Sequence, residues 1–412
     1  MGLHLGFFCL PGRGHLYPGT ALGMRLEGRG FKVTVFNRPI TRAIIMASGL
    51  AFRPLVDDSM LQEHSGIPEN DRYIGPHPVN TIHMHAMLVL KTALRAVADE
   101  RIDALLVDQG DLAAGSIADA LGLPFINISM FPPVFLNDDV PPFIFNWSPR
   151  KWRDDRRRNR RGNDLFRRLF APTLQTVNSY RKNWGLPPAN DINDLFSKLA
   201  IISQLPRVLD FKREISVPSL FHAGSFYNDI GRPRAEFPWS RLNGKPIVYA
   251  CMGTVRARSK KAVEMISAAC SAFDLQLVIS LGGMSLTPES LGYLPGEPIV
   301  VHFAPQMEIL RRSVLCITHA GMNTVLEAIT CGVPIVAIPV TDDQPGVAAR
   351  IKWSGIGSGL PFRNITVERL RGVIRAVLHS EECQKAVRKM RDNLQEVDGL
   401  NIAADIIEKQ LC

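Results

Sequence analysis

The sequence predicts an α/β protein made of two doubly wound, parallel-sheet domains. Three observations carry that prediction. Short apolar runs such as Leu5–Leu10, Ala104–Val107 and Ile247–Cys251 recur along the chain, as strands buried on both faces do. Several of these runs lead into a glycine-bearing turn and then a stretch of helical period. The rhythm breaks at a turn-rich stretch holding Pro206, Pro218, Gly224, Gly231, Pro233 and Pro238, and restarts at Ile247. The expected segments are 1–228, 229–395 and a terminal helix over 396–412.

Composition bounds the class. The 412 residues suffice for two or three domains with a substantial core. Hydrophobic residues at 46% and charged residues at 21% describe an ordinary globular protein, and no apolar run approaches the roughly eighteen residues of a membrane span. The N-terminus lacks a basic leader and enters a strand almost at once, so no secretory signal is expected. Seven cysteines are scattered without C-x-x-C spacing. Free, buried thiols and a cytoplasmic address are expected.

In the first half, Leu5–Leu10 is read as a strand, Pro11 to His15 as its turn, and the next residues as a helix with Leu22 and Leu26 inward. Phe31, Val33 and Val35 alternate as a second strand. Gly12 and Gly14 are spaced for a dinucleotide-binding loop, but Tyr17 stands where a third glycine belongs. Asn37 and Arg38 close the second strand in place of an acid, so nicotinamide or flavin binding is disfavoured. His15 remains, as a polar cap or as a general base, since imidazole titrates near neutrality. Asp108 follows the strand Ala104–Val107 at the same sheet edge, where an aspartate could fix the imidazole tautomer. Asp111, one turn on, could complement a helix N-terminus.

Residues 57–100 lack clear regularity. Met60, Tyr73, His77, His83, Met84, His85, Met87 and Leu88 form a soft, adaptable set, readable as a pocket wall or as a helix packed on the sheet. Metal binding by the three histidines is disfavoured because no carboxylate or Cys completes a shell. Residues 150–168 carry ten Arg or Lys against three Asp, with Trp152 and Phe166 interleaved and Leu169 and Phe170 beyond. A solvated helix, an anionic membrane surface and nucleic acid could each explain this. No nucleic-acid motif accompanies the patch, so nucleic acid ranks last.

The second half continues with strands at Ile247–Cys251, Gln276–Leu281, Ile299–His302, Leu315–Thr318 and Ile335–Pro339, and a helix over Lys260–Phe273. Further helices run from about Glu381, with Gly399 a break and Asn401 a fresh cap. The stretch from Phe303 to Gln344 is the most informative. His319 ends a strand, Ala320-Gly321 turns, and Asn323 or Thr324 is expected to cap a helix with Val325 and Ile329 inward. An imidazole beside a helix N-terminus makes an anion site, and Asp342-Asp343-Gln344 ends the neighbouring strand at the same edge.

Phe303-Ala304-Pro305-Gln306, His319-Ala320-Gly321-Met322-Asn323-Thr324, Glu327 and Asp343-Gln344 together resemble the nucleotide-sugar signature of the UDP-glycosyltransferases. Within bacteria, THAGMNTVLEA and DDQPGVAARI are similar to carotenoid (zeaxanthin) glucosyltransferases, then to macrolide glycosyltransferases. The resemblance implies a GT-B fold, two Rossmann-like domains across a cleft, the first taking the acceptor and the second the UDP-sugar. It implies a general base at His15, following Gly14 in a Gly-x-Gly-His run, with Asp108 as its dyad partner. Thr254, His319, Gly321, Asn323 and Thr324 would meet the diphosphate. Phe303 would stack on uracil, Ala304 and Gln306 bond the nucleoside, Glu327 the ribose, and Asp343 and Gln344 the sugar. Phe303 and Met322 replace the Trp common in plant members. No Asp-x-Asp is present, so the transfer is expected to need no metal, and to invert configuration. A nucleotide-sugar epimerase or a non-catalytic UDP-sugar-binding protein are the rival classes.

Overall fold

The computed structural model describes residues 2–56, 78–149, 155–214, 217, 219–230, 235–253, 259–282 and 286–412. The chain forms two compact units. The first comprises Met1–Pro142, Pro149–Arg232 and Asp398–Cys412; the second comprises Phe143–Ser148 and Pro233–Val397.

In the first unit the described strands are β1 (His4–Phe8), β2 (Lys32–Asn37), β3 (Ala51–Pro54), β4 (Ala104–Asp108), β5 (Phe125–Ser129), β6 (Ile201–Ser203) and β7 (Leu220–His222). They form one parallel sheet in the order β3-β2-β1-β4-β5-β6-β7. Its helices are α1 (Arg13–Glu27), α2 (Arg42–Ala47), α3 (Pro78–Asp99), α4 (Ala114–Leu121) and α5 (Asp155–Asn183). β1 and β4 are buried at every position, which accounts for their unbroken apolar runs.

One expectation needs correction here. The part of 57–100 that is described contains the helix Pro78–Asp99, one of the two readings the sequence offered. Met60, Tyr73 and His77 lie outside the described residues. The stretch read as a linker holds β7, paired to β6.

The second unit repeats the plan with β8 (Ile247–Cys251), β9 (Gln276–Ser280), β10 (Ile299–Val301), β11 (Ser313–Thr318), β12 (Ile335–Ala337) and β13 (Gly357–Gly359). The parallel order is β10-β9-β8-β11-β12-β13. Around it lie α6 (Ser259–Cys270), α7 (Gln306–Leu310), α8 (Met322–Thr330), α9 (Gln344–Trp353), α10 (Val367–Leu378) and α11 (Glu381–Gln395). Val248, Ala250, Ile279, Leu315, Ile317 and Val336 fill its core with Val263, Ile266, Leu370 and Ile374 from the helices. β13 has no apolar signal because its glycines run tight against β12. A Cβ on Gly357 or Gly359 would stand 2.0 Å from the Ile335 or Ala337 carbonyl oxygen. The excursion 143–148 packs on α9: a Cβ on Gly346 would come within 2.2 Å of the Phe143 carbonyl oxygen.

The last helix, α12 (Gly399–Leu411), belongs to the first unit and packs on α1. Its cap is Asp398, which accepts from Asn401 N at 3.0 Å; Asn401 was expected in that role. Leu400, Ala403, Ala404 and Ile407 are its buried stripe. Arg29, just past α1, reaches Asp405 at 2.6 Å, Glu408 at 3.0 Å and Asn401 Oδ1 at 2.9 Å. The helix carrying His15 is thus held from outside by the chain's end. Ile407→Ala, at a fully buried position, is expected to cost about 2–4 kcal/mol in urea unfolding. Arg29→Ala, whose partners are exposed, should cost about 1 kcal/mol or less, less still in high salt.

Candidate active site

In each sheet the strand order reverses at one place, between β1 and β4 and between β8 and β11. Ligands of open α/β sheets bind outside the carboxyl ends of strands at such a reversal. The candidate residues cluster at both.

In the first unit α1 begins at Arg13 with Gly12 as its N-cap, so His15 lies in the first helical turn rather than in the loop. Asp108 is the last residue of β4 and fully buried. Parallel pairing of β1 with β4 brings them side by side, and His15 Nδ1 lies 2.6 Å from Asp108 Oδ2. The carboxylate is held on both oxygens: Oδ1 accepts from Gly110 N at 2.9 Å and Oδ2 also from Leu10 N at 3.3 Å. A carboxylate accepting at Nδ1 makes Nδ1 the protonated nitrogen of the neutral ring and leaves the lone pair on Nε2. The His15 side chain is 24% exposed, against 0% for Asp108, so a substrate hydroxyl can reach the imidazole and not the carboxylate. Gly14 is exposed beside them. Cys9 is no rival nucleophile, because burial and the nearby Asp108 charge raise its thiol pKa.

Asp111 is a helix-start residue and more. Its Oδ1 accepts from Ala113 N and Ala114 N at 2.9 and 3.0 Å, and its Oδ2 lies 3.1 Å from His85 Nε2. That second, buried His–Asp pair ties α3 to the turn behind Asp108. His83 instead meets Thr173 Oγ1 at 3.2 Å. Among the described residues no three His, Cys, Asp or Glu gather as a metal site.

The basic stretch begins α5 and is largely paired within the unit. Arg156 reaches Asp139 at 2.6 Å, Arg160 reaches Asp138 at 2.8 Å and Arg167 reaches Asp191 at 2.6 Å, while Phe166 and Phe170 are buried. Arg157, Arg161, Arg168 and Leu165 are exposed. No described helix is long and apolar enough to cross a membrane.

In the second unit His319 follows β11, and Ala320 turns the chain at φ +69°, a left-handed value costly outside glycine. Gly321, not Asn323 or Thr324, is the N-cap of α8, and no side chain caps that helix. Two glycines flank the imidazole. A Cβ on Gly253 would lie 2.7 Å from its Cε1 and one on Gly321 2.5 Å from its Nε2. Gly253 also sits at φ +64°. Loss of hydration around the ring lowers its pKa from 6.5 to about 4, so His319 is neutral at pH 7. Its Nδ1 lies 3.4 Å from the Cys251 carbonyl. Thr254 falls outside the described residues.

Phe303, Ala304 and Gln306 follow β10, all half-buried. Gln306 Nε2 donates to Glu327 Oε2, and Gln306 Oε1 accepts from the Tyr249 hydroxyl at 2.7 Å. Sequence reading missed Tyr249, which looks like any core residue of an apolar strand. Asp343 is the N-cap of α9 but makes no side-chain cap bond, and Asp342 before it has φ +58°. Gln344 is 6% exposed, and its Oε1 accepts from Val340 N at 2.8 Å and Thr341 N at 3.2 Å. Only its amide N–H groups remain to meet a ligand.

The lowered His319 pKa predicts an acid-side loss of stability. An unfolded chain binds a proton there below pH 6.5 that the folded chain refuses until about pH 4. The contribution is intact above pH 6.5 and declines as pH falls through that window, by about 2 kcal/mol once partial exposure is allowed for. His4 and His222 are lowered in the same direction, also chiefly by burial. Urea melts of His319→Gln at pH 7 and 4.5 should therefore show a smaller drop than the parent protein.

Comparison with known proteins agrees with this geometry. A family model for UDP-glucoronosyl and UDP-glucosyl transferase matches residues 206–396. The chain is 29% identical to a zeaxanthin glucosyltransferase of Pantoea ananas, over 99% of this chain and 96% of the relative. It is 28% identical to one of Pseudescherichia vulneris, over 99% and 98%. The fold superposes on the glycotransferase of kitacinnamycin with a TM-score of 0.78, at 23% identity and full coverage of both chains. It also superposes on glycosyltransferase VinC, solved in complex with DTDP, with a TM-score of 0.71 at 17% identity and 99% coverage of each. Residues 206–396 thus carry a UDP-glucoronosyl and UDP-glucosyl transferase domain, and the chain, with the GT-B fold, is similar over its whole length to nucleotide-sugar glycosyltransferases.

Proposed function

We propose that this glycosyltransferase moves a hexose, glucose first among candidates, from a UDP-sugar to a hydroxyl of a hydrophobic acceptor, with inversion at the anomeric carbon. A carotenoid-like acceptor is favoured by the zeaxanthin glucosyltransferase relatives; a polyketide, sterol or phenolic is the alternative. The observation that carries the reading is the 2.6 Å His15–Asp108 pair at the first sheet's reversal.

In this reaction His15 Nε2 takes the acceptor proton, and Asp108 holds the ring and stabilises the imidazolium that forms. The hydroxyl attacks the anomeric carbon from the face opposite the diphosphate. The leaving diphosphate is stabilised by His319 and by the N–H groups of Asn323 and Thr324 at the start of α8, where the helix dipole favours negative charge. Gly321 belongs to the same cradle, and the family pattern would add Thr254. Phe303 stacks on uracil, and the Ala304 backbone and Gln306 bond the nucleoside. Glu327 takes the ribose hydroxyls, and Asp343 with the Gln344 amide takes the sugar.

Helix dipole and imidazole here do what a bridging cation does elsewhere, so no metal is needed. A peripheral position at a cytoplasmic membrane face, where a lipophilic acceptor would be met, is supported by exposed Leu165 among Arg157, Arg161 and Arg168. No role for nucleic acid is proposed.

His15→Ala should lower kcat about 100- to 10,000-fold with UDP-glucose and zeaxanthin, while UDP binding by calorimetry stays close to that of the parent. Equal loss of both would point to a non-catalytic role for His15. Free UDP-sugar isomers formed from UDP-glucose alone would favour an epimerase, and complete loss in EDTA restored by magnesium would contradict metal independence. Gly321→Ala, at φ −64° where alanine is unstrained, should displace His319 and raise the donor KM about tenfold or more.

A further inference from the structure

Glu327 sits in the second turn of α8 and is 3% exposed. A carboxylate so far out of water needs donors. Gln306 Nε2 supplies one, to Oε2. The direction of every neighbouring hydrogen bond then follows. A carboxylate only accepts, so the Gln306 amide must turn its NH2 toward Glu327 and its Oε1 away. That Oε1 lies 2.7 Å from the Tyr249 hydroxyl, which must therefore donate to it. Tyr249 is 1% exposed and its burial keeps the phenol protonated.

The result is a one-way relay, Tyr249 to Gln306 to Glu327, linking β8, α7 and α8. Such a chain fixes the carboxylate in position and rotation, and each link polarises the next. Gln306 spends its oxygen and one N–H inside the relay, so most of its side chain serves Glu327. The strand residue Tyr249 commits its hydroxyl to Gln306 in a core where phenylalanine would pack as well.

We propose that Tyr249, acting through Gln306, is a positioning residue that aims Glu327 at the ribose and so sets the preference for ribonucleotide over 2′-deoxyribonucleotide donors. This rests on the reading that Glu327 meets the ribose of a UDP-sugar. A carboxylate oxygen held in place discriminates for a hydroxyl by the bond it forms; one free to swing loses much of that advantage.

Binding of UDP and of 2′-deoxy-UDP to the full-length protein, by calorimetry, tests this. The parent protein should bind UDP about tenfold more tightly than 2′-deoxy-UDP. Tyr249→Phe should narrow that ratio to about threefold or less, chiefly by weakening UDP. It should raise the UDP-glucose KM and leave kcat within about twofold. Gln306→Met, at a half-buried position, breaks the relay one link on and should narrow the ratio similarly, which keeps the test open if Tyr249→Phe folds poorly. A ratio unchanged in the variants, or equal weakening of both nucleotides, overturns the proposal while leaving the donor reading intact. A parent protein that binds neither nucleotide overturns both.

Discussion

The hydrogen bond between His15 Nδ1 and Asp108 Oδ2, 2.6 Å long, is the constraint on which the chemistry of the first unit depends. The two residues are 93 positions apart, and only the pairing of β1 with β4 brings them together. A fully buried carboxylate is costly unless it is hydrogen-bonded, and here Leu10 N, Gly110 N and the imidazole supply three donors. The same arrangement fixes which ring nitrogen can take a proton. Behind it, Gln109 clamps the backbone of Val134 from both ends of its amide, and His85 anchors Asp111, so the turn after β4 cannot drift. In front, α12 holds α1 to the unit. Structural polar bonds thus surround the His15–Asp108 pair.

The second unit applies the same topology to a different task. Its reversal lies between β8 and β11, and the turns after those strands carry Gly253 and His319. Where the first unit places an imidazole in the opening turn of a helix, the second leaves a helix start without any side-chain cap. An uncapped N-terminus keeps its N–H groups for an anion. The imidazole beside it is held neutral by its surroundings, with room only because both flanking residues lack a Cβ. Backbone strain at Ala320 and Asp342 falls at the ends of β11 and β12, where the proposed donor contacts lie.

Much of this was legible in the sequence, and the failures share a cause. Strands buried on both faces announce themselves as apolar runs, so β1, β4, β8, β9, β11 and β12 were found within a residue or two. β13 was not, because its sequence is Gly-Ser-Gly and the glycines answer to backbone proximity rather than to hydrophobicity. β7 was hidden among prolines and glycines. Asp108 and His319 stood out because each directly follows an apolar run, and His15 because it closes a glycine-bearing turn. The cap of α8 was misassigned because Asn and Thr are good caps and glycine leaves no signal. Tyr249 and Gly346 were invisible, since each matters through a partner distant in sequence. The division of Gln306 and Gln344 between ligand and scaffold could be read only from distances.

The proposed reaction is a single displacement, in which His15 takes the acceptor proton as the diphosphate leaves. The anomeric configuration of the product tests this most directly. With UDP-α-glucose as donor and zeaxanthin as acceptor, proton NMR of the purified glucoside should show the β-anomer, formed by direct attack of a His15-activated hydroxyl. An α-glucoside would mean that configuration is retained, and it would contradict the assignment of His15 and Asp108 as the base of a single inverting step.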